Sequence, residues 1–160
     1  MPSGTSNARP TKWSLARREN GAAMVEFALV LPLLVLFIFG IVEFGRAFNY
    51  WLDANHLANV AARWAAVDTN PGADGGQSLQ AWIHDQGDTA EMRGAEKVCI
   101  DFPDGSAEVG EPVEAKVTVQ FDWMPLLDTA LGVGSTQLAG TATMRLERPP
   151  STYHDECYSV

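Results

Sequence analysis

One run of 21 residues, Ala22 to Val42 (AAMVEFALVLPLLVLFIFGIV), carries a single charge, Glu26. At about 1.5 Å per residue, a helix of that length crosses a hydrocarbon core roughly 30 Å thick. A carboxylate in such a segment costs on the order of 2 kcal/mol at the bilayer centre and less near its interface, so Glu26 calls for a compensating partner. With one span assigned, a chain of 160 residues has room for a single further domain with a modest core.

Charge is divided unevenly about this run. Residues 1–20 hold Arg9, Lys12, Arg17 and Arg18 against Glu19, whereas 18 acidic residues face seven Lys or Arg from Glu43 onward. Basic flanks stay cytoplasmic, which places the leader inside and the acidic remainder outside. An acidic outer part lacks the basic face that nucleic acid requires. Its two cysteines, Cys99 and Cys157, would pair in an oxidising compartment and close a long loop; two unpaired thiols are the alternative.

Residues 1–20 are polar, without apolar periodicity, and are expected to form a disordered cytoplasmic leader. Pro32 removes one helical hydrogen bond and is expected to bend the span, unless it only reflects the tolerance of membrane helices for proline. A secretory signal would carry a small-residue cleavage site after its apolar run; here Glu43-Phe44-Gly45-Arg46 and further helical pattern follow. Phe44, Ala47, Phe48, Trp51, Ala54, Ala58, Ala61, Ala62 and Ala65 recur at spacings of three and four, opposite Glu43, Arg46, Asn49, Asp53, His56 and Arg63. One helix from about Asn20 to Ala66 is therefore expected, ended by Asp68-Thr69-Asn70-Pro71-Gly72.

Ser78 is positioned to cap a short helix that runs toward Met92 and is interrupted at Gly87. Beyond Gly94 the period changes to two. Lys97–Phe102, Val113–Trp123 and Gln137–Glu147 read as strands, with Val113, Ala115, Val117, Val119, Phe121 and Trp123 on one face of the second. Pro125 opens a short helix over Met124–Leu131. The expected fold is α+β: a long N-terminal transmembrane helix extending into a small periplasmic domain with a three- to four-stranded antiparallel sheet covered by that helix. Its divisions are a leader (1–21), the span (22–42), a helical extension (43–66) and the outer domain (67–160).

Chemistry finds little foothold. His56, His84 and His154 have no metal-ligand spacing with a partner, and Cys157 beside His154, Asp155 and Glu156 is a weak metal set at most. Ser135 and Ser151 lie in no nucleophile elbow, and the glycine-rich stretches lack the lysine of a phosphate loop. No catalytic residue, metal or cofactor is assigned, and an enzyme is not expected.

The start of the apolar run is more informative. Arg17-Arg18-Glu19-Asn20-Gly21-Ala22-Ala23-Met24-Val25-Glu26-Phe27 sets a basic stretch and a glycine before Glu-Phe at the head of a membrane helix. This junction resembles the processing site of class III signal peptides in prepilins of type IV and tight-adherence (Flp) pili. Together with E-F-G-R-A-F, A-N-V-A-A-R-W-A and the late V-x-V-x-F-x-W and M-R-L-E segments, it is similar to TadE-like pseudopilins, whose relatives include TadF-like and TadG-like proteins. Phe27 stands where tyrosine is frequent. The resemblance implies cleavage between Gly21 and Ala22 by a prepilin peptidase, with Glu26 and Phe27 read by that peptidase and used in subunit assembly. It also implies a non-enzymatic minor pilin in the bacterial inner membrane. Its partners would be the peptidase, other pilins, the Tad secretion platform and membrane lipid, with no nucleic acid. The alternative is an unprocessed single-pass protein whose periplasmic domain binds a ligand or the cell wall.

Overall fold

The computed structural model describes residues 13–94 and 96–159, and the chain divides between Ile41 and Val42 into two compact units. Helix α1 spans Trp13–Ala66 and contributes to both. Its start lies inside the stretch expected to be an unstructured leader, because Ser14-Leu15-Ala16-Arg17-Arg18-Glu19 is made mostly of good helix formers. The rest of the expected leader, residues 1–12, falls outside the described residues. Pro32 is accommodated without a break in the helical assignment. Gly21–Ala66 is long and apolar enough to cross a membrane, and the side chains of its apolar window are exposed.

The second unit is a helix laid on a four-stranded antiparallel sheet. Strands β1 (Glu96–Asp101), β2 (Pro112–Asp122), β3 (Ser135–Arg145) and β4 (Glu156–Ser159) pair in the order β3-β2-β1-β4. Short helices α2 (Leu79–Asp85) and α3 (Ala90–Arg93) connect α1 to β1, and α4 (Pro125–Leu131) connects β2 to β3. Ser78 caps α2 by accepting from the Ala81 N–H, and Thr89 caps α3 in the same way from Met92. Gly87 lies between them, as the interrupted helical pattern required.

Alternation along β2 buries Val113, Ala115, Val117, Val119 and Phe121, while Ala54, Leu57, Ala58, Ala61, Ala62 and Ala65 of α1 join them in one core. Alanines bring the helix close. A Cβ on Gly140 of β3 would sit 2.4 Å from the Asn55 nitrogen, so that crossing admits no side chain. Strand ends lie one or two residues earlier than alternation alone placed them, because β2 and β3 stay in register from Pro112↔Arg145 to Asp122↔Ser135.

Two expectations about the first turns beyond the span are corrected. Phe44, Phe48 and Trp51, read as packing residues, are exposed, Phe44 at 70% of its surface. Glu43 and Asp53, placed on the wet side, are buried. The face toward the sheet runs through Glu43, Ala47, Tyr50, Ala54 and Leu57, rotated from the aromatic one, because Tyr50 meets Phe121 edge-on at 5.3 Å and Glu43 finds partners inside.

The segment after β3 forms the fourth strand. Cys99 and Cys157 are directly opposed in the β1–β4 ladder, with Cα atoms 4.0 Å apart, and are joined by a disulfide. Tyr153 is buried and donates its hydroxyl to the Ala65 carbonyl at 2.9 Å. Burial, reinforced by nearby Asp68, pushes its phenol up to about 12.

Candidate functional site

Gly21, Ala22, Glu26 and Phe27 all lie on α1 with exposed side-chain positions. Glu26 follows Ala22 by four residues, so the two share a helical face about one turn apart. Nothing approaches within 4 Å of the place a Cβ would occupy on Gly21. The backbone there is helical.

Just past the apolar run, a buried carboxylate fastens α1 to the sheet domain. Glu43 is fully buried. Its Oε1 accepts from Arg46 Nη1 at 2.7 Å and its Oε2 accepts from the Met124 N–H at 3.2 Å. Both oxygens are thus paired, which a buried charge needs to be tolerated. The Arg46 guanidinium also lies 5.4 Å from the centre of the Phe121 ring. Around this pair, Phe44 meets Trp123 at 5.6 Å and Phe121 meets Trp123 at 5.1 Å, both edge-on, while Trp123 Nε1 donates to Thr136 Oγ1. Local periodicity missed Glu43, although its spacing of four and seven from Ala47 and Tyr50 is the signal that could have found it.

A second acidic cluster underlies the α2–α3 connection. Glu96 is 3% exposed, and neither carboxylate oxygen has a hydrogen-bond partner among the described residues. Burial, reinforced by Asp53 and opposed by Arg93, pushes its carboxyl up to about 8. Asp53 itself accepts from the Asp88 N–H at 3.1 Å. Arg93 Nη1 donates to the Gly87 carbonyl. His84 Nε2 lies 2.6 Å from the Arg93 carbonyl, which can only accept, so the imidazole carries its proton there. Among the described residues no three His, Cys, Asp or Glu side chains are grouped to hold a metal ion. Glu96 was not singled out by sequence because KVCID reads as an ordinary strand and Glu96 stands at its edge.

Comparison with protein families decides how the first of these features is read. Residues 21–63 match the family model described as TadE-like protein. Over these residues the chain is similar to that family. No curated protein and no solved structure matches. The TadE-like stretch opens at Gly21, contains Glu26, Phe27 and Glu43, and closes at Arg63, within the last turn of α1. It therefore joins the membrane-span candidate to most of the alanine face that covers the sheet.

Proposed function

We propose that the chain is a minor pilin or pseudopilin that takes part in assembling a Flp-type (type IVb, Tad) pilus. The observation that carries this reading is the coincidence of three features at one point: the TadE-like match begins at Gly21, the apolar run within α1 begins at Ala22, and its lone carboxylate stands at Glu26. A prepilin peptidase working on the cytoplasmic side removes residues 1–21. Glycine eases that cut, since it weakens the helix by about 1 kcal/mol relative to alanine and admits close approach by the enzyme.

Cleavage leaves an ammonium on Ala22, one helical turn from Glu26. In an assembly of such helices the Glu26 carboxylate of one subunit neutralises the amine of its neighbour at the same depth. A buried pair of this kind contributes more to register than to net stability. Phe27 stands next to that pair and takes part in the same recognition. The acidic sheet domain lies outside the inner membrane and contacts other minor pilins, while the span contacts lipid and the secretion platform. The role is structural, with no catalytic residue assigned.

The test is pilus assembly in cells carrying Glu26→Ala or Glu26→Gln. Filament number should fall at least about tenfold with either change, since neither side chain carries the negative charge that neutralises an ammonium, a loss worth about 1.4 kcal/mol or more per contact. Normal filaments from Glu26→Ala cells would remove the assembly role.

A further inference from the structure

We propose that Glu96 is a proton-operated latch: neutral, it lets the Gln86–Gly94 connection lie closed over β1, and ionised, it opens that connection. The carboxyl has no hydrogen-bond partner among the described residues and is almost wholly buried. Such a group is tolerated when neutral and costs several kcal/mol when charged. The connection rests directly on it: a Cβ on Gly87 would stand 2.9 Å from Glu96 Oε2 and 3.0 Å from Arg93 Cγ. That closeness leaves no room for the water shell an anion would recruit.

Of the charged groups around it, Asp53 favours the neutral form and Arg93 opposes it. From α1 comes Asp53, whose carboxylate is held by the Asp88 N–H. From α2 come His84, its Nε2–H given to the Arg93 carbonyl, and exposed Asp85. From α3 comes Arg93, whose guanidinium donates to Gly87. Arg46 of α1 belongs to the Glu43 pair, the β2 residue opposite Glu96 is uncharged Val119, and Lys97 is exposed on the other face of β1. Ionisation, with the proton passing to water, sets a second carboxylate against Asp53 and draws the Arg93 guanidinium away from Gly87. The Asp53–Asp88 hydrogen bond ties the connection to α1 and the Arg93–Gly87 bond folds it on itself, so one deprotonation disturbs both. Opening would uncover Met92, which is fully buried, and the Tyr50 and Phe121 surface that Ala90 and Gly94 border. The placement of the carboxyl near 8 puts the transition within reach of mildly alkaline surroundings. The inference rests on the sheet domain alone and is independent of processing at Gly21.

Hydrogen exchange of the full chain in detergent, read by mass spectrometry and corrected for intrinsic exchange rates, tests it. Between about pH 6 and about pH 9.5, protection over residues 84–94 should fall by about tenfold or more while β2 keeps its protection. Glu96→Gln should hold the closed protection at both pH values. Asp53→Asn should move the opening to lower pH, since Asp53 raises the Glu96 carboxyl. A wild-type connection whose protection does not change with pH, or one that opens at an unchanged midpoint in Glu96→Gln, would overturn the latch. A carbon-13 titration of the wild-type glutamate carboxyls keeps the question open to refutation even if a variant fails to fold. A Glu96 carboxyl titrating near its ordinary value overturns the proposal, and one titrating near 8 supports it.

Discussion

At the scale of single residues, the informative positions are carboxylates whose partners lie far along the chain. Glu43 is matched by an N–H 81 residues away, at Met124, and no local pattern could reveal that. Periodicity instead favoured Phe44 and Phe48 as core because aromatics are usually buried. Removing the carboxylate in Glu43→Ala leaves the Met124 N–H and Arg46 without it, and should cost about 2–4 kcal/mol by chemical denaturation. Glu96 contributes with the opposite sign to most acids. Its folded value lies at about 8 against an ordinary 4.5, so its contribution is complete below about 4.5 and is lost as pH rises through about 8. The unfolding free energy from chemical denaturation should therefore fall over that interval, by about 2 kcal/mol once solvent screening is allowed for, and Glu96→Gln should flatten the decline. Asp68 behaves conventionally. Burial raises its carboxyl, but hydrogen bonds from Ser151 and Thr152 outweigh burial and hold it below the usual range. Its stabilisation is present above pH 3.8 and is lost as pH falls through the lower folded value. Asp68 also has a left-handed backbone, φ 51°. Asp68→Gly should therefore keep the turn yet lose about 1–2 kcal/mol in thermal or denaturant unfolding through the missing hydrogen bonds.

Among elements, the ones with strong period were legible and the ones held by distant partners were not. The eleven residues of β2 alternate cleanly, and α1 announces itself by its apolar run and alanine spacing. Strand β4 has four residues and pairs only with β1, where Cys157 faces Cys99; nothing in Glu156-Cys157-Tyr158-Ser159 marks a strand without that partner. The seam between α1 and β3 was equally invisible, since Gly140 looks like any strand glycine until the helix backbone is laid across it. Gly140→Ala should cost about 3 kcal/mol or more, because backbone on both sides must move, whereas Gly75→Ala, with nothing within 4 Å, should change stability by less than about 0.5 kcal/mol. Equal effects in urea denaturation would contradict the close approach.

For the whole molecule, the layout of one apolar helix and an antiparallel sheet followed from hydropathy and alternation; the structure added the strand order and decided between the expected Cys99–Cys157 disulfide and two free thiols. That bond spans 58 residues. Its reduction should lower stability by about 4 kcal/mol in the chain-entropy picture, read as a shift in the denaturation midpoint with and without reductant. The pairing proposed for Glu26 with a neighbour's amine would be a property of assemblies, so a single chain carries only its spacing from Gly21. Everything proposed for that spacing depends on one peptide bond. Intact-mass measurement of the membrane-extracted protein, from cells with and without the prepilin peptidase, tests it most directly. A chain beginning at Ala22 only where the peptidase is present is the expected result; a chain that keeps Met1 to Gly21 in peptidase-containing cells would contradict it.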